Sequence, residues 1–122
     1  MRIGYIIILI LSLLAKPREP LVLIIGQPCA CMEGIEADYC QVGEPLRELL
    51  ANRDYRWIIV MEPVENRQAL AIYLFRIQPQ ANVILMEDQE LAGKLRMYYA
   101  PDCCTVLEML KKDEKVRWKN ES

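Results

Sequence analysis

Short apolar runs alternate with polar segments along the chain. Three uninterrupted runs, rich in branched aliphatic side chains, occupy residues 21–25, 57–61 and 83–86. Apolar runs of this length, without alternating polar positions, are typical of strands that are covered on both faces of a sheet. The pattern therefore predicts three buried strands.

Three other segments carry apolar residues at helical spacing. The first begins at Gly43-Glu44-Pro45, where proline suits the first turn of a helix, and ends near residues 52–54. The second lies between Glu65 and Arg76 and is closed by Pro79. The third follows Asp102, a residue type that caps helices. The apolar stripes of these predicted helices are Leu46, Leu49 and Leu50, then Leu70, Tyr73, Leu74 and Ile77, then Val106, Leu107 and Leu110.

The region after the third strand has a different pattern. A polar turn at residues 87–90 precedes Leu95, Met97 and Tyr99, which alternate with more polar residues. This alternation predicts a hairpin over residues 83–99. The element order is then βαβαββα, with parallel first strands joined by right-handed crossovers and an antiparallel edge from the hairpin. The sequence thus predicts an α/β domain of three layers, with a mixed central sheet and flanking helices.

The ends of the chain differ from this domain. Arg2 is followed by an apolar run over residues 3–14 and then by Ala15, a pattern typical of a signal peptide. The run is shorter than the roughly 20 residues of an ordinary transmembrane helix. We expect residues 1–15 to be a signal peptide or membrane anchor, residues 16–112 to be the domain, and residues 113–122 to be a charged flexible tail. The alternative is that residues 6–8 belong to a buried first strand.

Charge and composition restrict the function. Fifteen Lys and Arg stand against 17 Asp and Glu, for a net charge of −2, so a nucleic-acid partner is not expected. The chain contains no histidine, which excludes Cys-His and Ser-His catalysis. The chemistry to be considered is therefore that of the cysteines.

Five cysteines lie at positions 29, 31, 40, 103 and 104. Cys29 and Cys31 follow the first predicted strand by four to six residues. Loops at the carboxyl ends of strands in α/β sheets are where reactive groups collect, because the strand holds the base of an exposed loop. A helix that began near Cys31 would favour a thiolate at its start. Cys29 and Cys31 are therefore the candidate catalytic residues.

The element order, with Cys29-Ala30-Cys31 just beyond the first buried strand, resembles the thioredoxin-like superfamily over roughly residues 20–112. The resemblance implies exchange of thiols and disulfides with partner proteins in an exported setting (periplasmic, secreted or lumenal), without a cofactor. Cys29 would attack and Cys31 would resolve the mixed disulfide. Two features depart from the family pattern. A single residue, Ala30, separates the cysteines instead of two, and the position of the family's cis-proline falls near Ala81, two residues after Pro79.

Two other interpretations of the cysteines remain open. Cys40 with Cys29 or Cys31 would make a structural disulfide, in a non-catalytic thioredoxin-like module that binds a protein. The same three thiols would also suit Cu(I) or Zn(II), although the spacing matches no established zinc pattern and we assign no metal ligand. Of Cys103 and Cys104, in the first turn of the last helix, we expect one to be buried as a small hydrophobic residue.

Overall fold

The computed structural model describes residues 20–61 and 66–119. The predicted signal peptide or anchor, residues 1–15, lies outside the described residues, as does the alternative strand there. Within the described ranges, no helix is both long and apolar enough to cross a membrane.

One parallel sheet of five strands forms the centre of the described domain. All four neighbouring pairs are parallel, in the order β2-β1-β3-β4-β5. The carboxyl ends of the strands therefore lie along one edge of the sheet. The progression of strands reverses between β1 and β3, as in doubly wound sheets. The strands are β1 (Val22–Ile25), β2 (Ala37–Cys40), β3 (Trp57–Val60), β4 (Asn82–Met86) and β5 (Tyr98–Ala100).

Four α-helices and one short 3₁₀ helix connect or follow these strands in the described residues. Pro45 lies in the first turn of its helix, as predicted. Asp102 accepts a hydrogen bond from the Thr105 N–H at 2.8 Å, so the last helix begins where the sequence indicates. The helices are the 3₁₀ helix (Ala30–Gly34), α1 (Glu44–Asn52), α2 (Arg67–Ile77), α3 (Gln89–Leu95) and α4 (Cys103–Lys111).

The predicted α/β class is confirmed, but the hairpin over residues 83–99 is wrong. Residues 89–95 form α3, which starts where the Asp88 carboxylate accepts the Leu91 N–H at 3.1 Å. β5 consequently runs parallel to β4. The sheet is therefore parallel throughout and not mixed, and the thioredoxin-like topology is not confirmed. The alternating residues Leu95, Met97 and Tyr99 do pack against the same core cluster. Their spacing therefore indicated partial burial correctly, although the segment is not one long strand.

β2 was not predicted, because it is a short edge strand with polar contacts. It pairs with β1 alone among the described strands. The Asp38 carboxylate accepts hydrogen bonds from Arg53 and from the Tyr55 hydroxyl, both at 2.6 Å. Burial and the hydrogen bond to Asp38 raise the pKa of Tyr55. A strand held by such contacts carries no apolar run that would identify it.

The two faces of the sheet bury separate apolar clusters, as expected for three layers. Helices α1, α2 and α3 cover one face, and the 3₁₀ helix and α4 cover the other. We call these the α1–α3 face and the α4 face. The first cluster includes Leu23, Ile25, Leu46, Leu50, Ile58, Leu74 and Leu85, and the second includes Ile24, Met32, Ile35, Ile59, Ile84, Val106 and Leu110.

Residues 113–119, which belong to the expected flexible tail, make several contacts with the domain. The Asp113 carboxylate accepts hydrogen bonds from Arg56 and from the Trp57 indole N–H. Val116 is buried, and Trp118 forms an antiparallel bridge with Ile35. These contacts extend the packed domain beyond α4.

A buried glutamine links the ends of α1 and α2. Gln78 is 2% exposed, and its amide group donates to the carbonyls of Leu50 and Arg53 at 2.8 and 2.7 Å. Its side-chain oxygen accepts the Tyr55 N–H at 3.1 Å. The side chain therefore satisfies backbone groups that the core would otherwise leave without partners.

Candidate functional site

The chain brings Cys29 and Cys103 together at the carboxyl edge of the sheet. Cys29 immediately precedes the 3₁₀ helix that follows β1, and Cys103 is the first residue of α4, just after β5. Both helices pack on the α4 face, which explains how residues 74 positions apart meet. The two cysteines form a disulfide, with their Cα atoms 6.7 Å apart. That separation lies within the range of about 4.4 to 6.8 Å that disulfides span.

Cys31 is the third member of this site. The Sγ atoms of Cys29, Cys31 and Cys103 all lie within 4.8 Å of one another. Cys31 is exposed and carries a free thiol, whereas the two bonded cysteines are partly buried against the core. We call these three residues the sulfur cluster. It contains a disulfide and an accessible thiol within a short distance of it.

The structure places the two sequence-predicted site residues side by side but gives Cys29 a different bonded partner. Cys29 and Cys31 both belong to the sulfur cluster, and Cys103 takes the bond. Cys103 follows the end of β5 as Cys29 follows the end of β1. Both cysteines therefore lie at the carboxyl ends of strands, where reactive groups collect in α/β sheets. The predicted hairpin hid this, because an antiparallel β5 would carry Cys103 to the opposite edge of the sheet.

Cys40 is not part of the cluster. It lies beside Ile25 on the α1–α3 face, whereas Cys29 packs on the α4 face. Its thiol is free and donates to the Gln41 carbonyl at 3.1 Å. Burial raises the pKa of Cys40, and the charge of Asp38 adds to this effect. The alternative disulfide from Cys40 to Cys29 or Cys31 is therefore not formed, and the alternative metal set that included Cys40 is not assembled.

Cys104 is a free, exposed neighbour of Cys103. It lies one position further along α4, and a helix turns about 100° per residue. The side chains of Cys103 and Cys104 therefore point in different directions. It is not among the cysteines whose sulfur atoms converge. Cys104 therefore provides a control for experiments on the sulfur cluster.

An open groove gives access to Cys29. The Tyr39 hydroxyl donates to the Met32 carbonyl at 3.4 Å on one side of it. Burial raises the pKa of Tyr39, and the charge of Glu33 contributes as well. The groove thus offers one aromatic side chain and charges of both signs beside a disulfide-bonded cysteine. Its lining includes Gln27, Pro28, Cys29, Glu33, Tyr39 and Lys119.

The position that corresponds to the family's cis-proline, near Ala81, lies at the other end of the strands from the cysteines. The register sets Val22 beside Trp57 and Trp57 beside Asn82, so Ala81 is at the amino edge of the sheet. Because β4 runs parallel to β1, its start and the sulfur cluster are at opposite edges. A residue at this position therefore does not face the cysteines, which is a further departure from the family pattern.

No family model matches this chain, and neither a curated protein nor a solved structure matches it. Its function has to be derived from the chemistry of the sulfur cluster.

Proposed function

We propose that this chain exchanges disulfides with the thiols of partner proteins through the sulfur cluster. The observation that carries the proposal is the free, exposed thiol of Cys31, whose Sγ lies within 4.8 Å of both sulfur atoms of a disulfide. Exchange proceeds by attack of a thiolate on a disulfide sulfur through a mixed disulfide. This reaction requires a disulfide, a thiol next to it and a route by which the partner reaches them. The sulfur cluster and the open groove provide all three.

The first step is attack of a partner thiolate on the Sγ of Cys29, a residue that lines the groove. A bond forms between the partner and Cys29, and the bond from Cys29 to Cys103 breaks. The leaving electron pair remains on Cys103 as a thiolate. Cys103 is the first residue of α4, and a helix N-terminus favours negative charge through its unpaired N–H groups. Cys103 is therefore suited to be the leaving group.

The mixed disulfide is resolved in one of two ways. A second partner thiol attacks the partner's own sulfur, which oxidises the partner dithiol and transfers two electrons and two protons to Cys29 and Cys103. Alternatively, the Cys31 thiolate attacks Cys29 and releases the partner thiol unchanged, leaving a bond between Cys29 and Cys31. The second route frees the chain from a partner that has no second thiol. In the reverse direction, Cys29 is the thiolate that attacks a partner disulfide.

The proposal includes export to the periplasm, the lumen or the exterior. Disulfides persist in these compartments, and a reactive disulfide would meet partner thiols there. The apolar pattern of residues 3–14 supports a signal peptide or membrane anchor. The chemistry is of the kind performed by thioredoxin-like oxidoreductases, and the support for it here is the sulfur cluster and not the sheet.

Four single variants test this function. The oxidised chain is mixed with a fluorescent monothiol and with a dithiol peptide, and its reduction and mixed disulfides are followed by mass spectrometry. We expect Cys29→Ser to abolish peptide oxidation, and Cys103→Ser to reduce it, because Cys29 is then left with Cys31 as its bonding partner in the cluster. Cys31→Ser should accumulate more mixed disulfide with the monothiol than the natural chain does, because only the return of Cys103 to Cys29 then releases the monothiol. Cys104→Ser is the control and should behave as the natural chain does. Unchanged peptide oxidation in Cys29→Ser would exclude the proposed exchange.

A second candidate is a non-catalytic protein-binding module with a structural disulfide. The observation that favours it is that the bond from Cys29 to Cys103 ties the 3₁₀ helix to α4, with both residues packed against the core. In this case the partner would bind at the sheet edge or at the carboxyl ends of the strands. The two functions differ in reactivity, because a structural disulfide resists mild dithiol reductant while an exchange site is reduced in the folded chain.

A further inference from the structure

The sulfur cluster has the dimensions of a binding site for one soft metal ion. Metal–sulfur bonds are about 2.3 Å long, which puts three sulfurs around one ion about 4 Å apart. The three Sγ atoms already lie within 4.8 Å of one another. The Cα atoms of Cys29 and Cys103 are 6.7 Å apart, at the long end of the disulfide range, so the sulfurs have room to separate after reduction.

We infer that the reduced chain binds one Cu(I) ion through the thiolates of Cys29, Cys31 and Cys103. Thiolates are soft ligands and select soft ions such as Cu(I). The chain has no histidine to act as a fourth ligand, and three thiolates complete a trigonal Cu(I) site. Zn(II) in structural sites takes four ligands, so the same three thiolates would leave it a vacant position.

The position of the cluster suits this role. Cys103 begins α4, whose N-terminus favours the excess negative charge of three thiolates around a monovalent ion. Cys31 is exposed, which gives the ion a route from solvent, and the other two sulfurs are partly buried. The site is therefore partly closed, and Cys31 is its accessible ligand.

Metal binding and the disulfide exclude each other, because they use the same sulfur atoms. A dithiol reductant first supplies two electrons and two protons to the bond between Cys29 and Cys103, and itself becomes a disulfide. Cu(I) then replaces the protons of the three thiols, which pass to solvent. Oxidation of the site would accordingly release the ion. This inference uses the residues of the proposed function but does not require exchange with a partner protein.

The test is a titration of the full chain, reduced and then freed of reductant under anaerobic conditions, with Cu(I) in competition with a chromogenic Cu(I) chelator. We expect one ion per chain, and no tight binding by the disulfide form. Cys31→Ser should lower the affinity at least tenfold, as should Cys29→Ser and Cys103→Ser where circular dichroism shows them folded. Cys40→Ser and Cys104→Ser are the controls and should bind as the natural chain does.

Several results would overturn the assignment. They are natural affinity in Cys31→Ser, weakened binding in Cys104→Ser, more than one tightly bound ion per chain, or displacement of Cu(I) by a tenfold excess of Zn(II). X-ray absorption of the loaded chain should show three sulfur neighbours around copper, and two or four would contradict it. The exchange assay contains no metal and starts from the oxidised chain, so failure of exchange and failure of copper binding are separate outcomes.

Discussion

Loss of the disulfide between Cys29 and Cys103 should destabilise the domain. The number of residues between the two cysteines determines the size of the effect. Cys29 and Cys103 are 74 positions apart, so their bond closes a loop that contains most of the domain. Closing such a loop restricts the unfolded chain and thereby favours the folded one. The chain-entropy relation gives about 4.5 kcal/mol at 25 °C for a loop of roughly 75 residues, and measured values are typically about 2 to 4 kcal/mol.

The same stabilisation also affects the reduction potential of the disulfide. A bond that stabilises the folded chain is itself harder to reduce in that chain, by about 30 mV for each 1.4 kcal/mol. A contribution of about 2 to 4.5 kcal/mol therefore lowers the reduction potential of the folded disulfide by about 45 to 95 mV relative to the unfolded chain. Titration in dithiol buffers, with and without denaturant, measures this difference.

Urea unfolding provides the direct assay. The forms compared are the oxidised chain, the chain in excess dithiol, the double variant Cys29→Ser/Cys103→Ser, and Cys104→Ser as the control. We expect the reduced chain and the double variant to unfold at similar urea concentrations, well below the oxidised chain and the oxidised control. Equal unfolding free energies for the oxidised and reduced chains would refute the cross-link as placed.

Three further predictions concern the rest of the domain. The hydrogen bond from Arg56 is the largest cause that lowers the pKa of Asp113 from 3.8 to about 2. The stability that this carboxylate contributes is therefore present above pH 4 and is lost as the pH falls through 2. Asp113→Asn should cost about 1 kcal/mol in urea unfolding at pH 6 and much less at pH 2. Gln78→Leu should lower the unfolding free energy by about 2 to 4 kcal/mol in the same assay, because it leaves buried backbone groups without partners. Gly93→Ala should raise the thermal midpoint through a gain of about 0.5 to 1 kcal/mol, since the glycine is inside α3 and an added Cβ meets no atom within 4 Å; an unchanged or lower midpoint would contradict this.

The hydrophobic pattern predicted the elements that carry long apolar runs or stripes and missed two short elements, β2 and α3. β1, β3 and β4 are buried on both faces, so their apolar runs are continuous. β2 is an edge strand anchored by Asp38, and α3 is short and contains Gly93, which disfavours helix. These two elements determine the strand order and the direction of β5. Errors in them therefore changed the topology while the α/β class was predicted correctly.

The same error limited what the sequence indicated about the site. The position of Cys29 and Cys31 after a buried strand was sufficient to select them as candidates. The bond to Cys103 depends on the direction of β5 and on α4 packing on the same face as the 3₁₀ helix. Neither property is encoded in the spacing of cysteines. The pairing thus follows from long-range topology and not from a local motif.

Disulfide mapping of the unreduced chain is the most direct test of the sulfur cluster. Free thiols are alkylated first, and trypsin then leaves Cys29 and Cys31, together with Cys40, within residues 19–47, and the adjacent pair Cys103 and Cys104 within residues 97–111. Because each peptide holds more than one cysteine, fragmentation must identify the bonded sulfurs.

We expect a single cross-link between the two peptides, from Cys29 to Cys103, with the alkylating label on Cys31, Cys40 and Cys104. A bond between Cys29 and Cys31, or from either of them to Cys40, would contradict the site described for this chain.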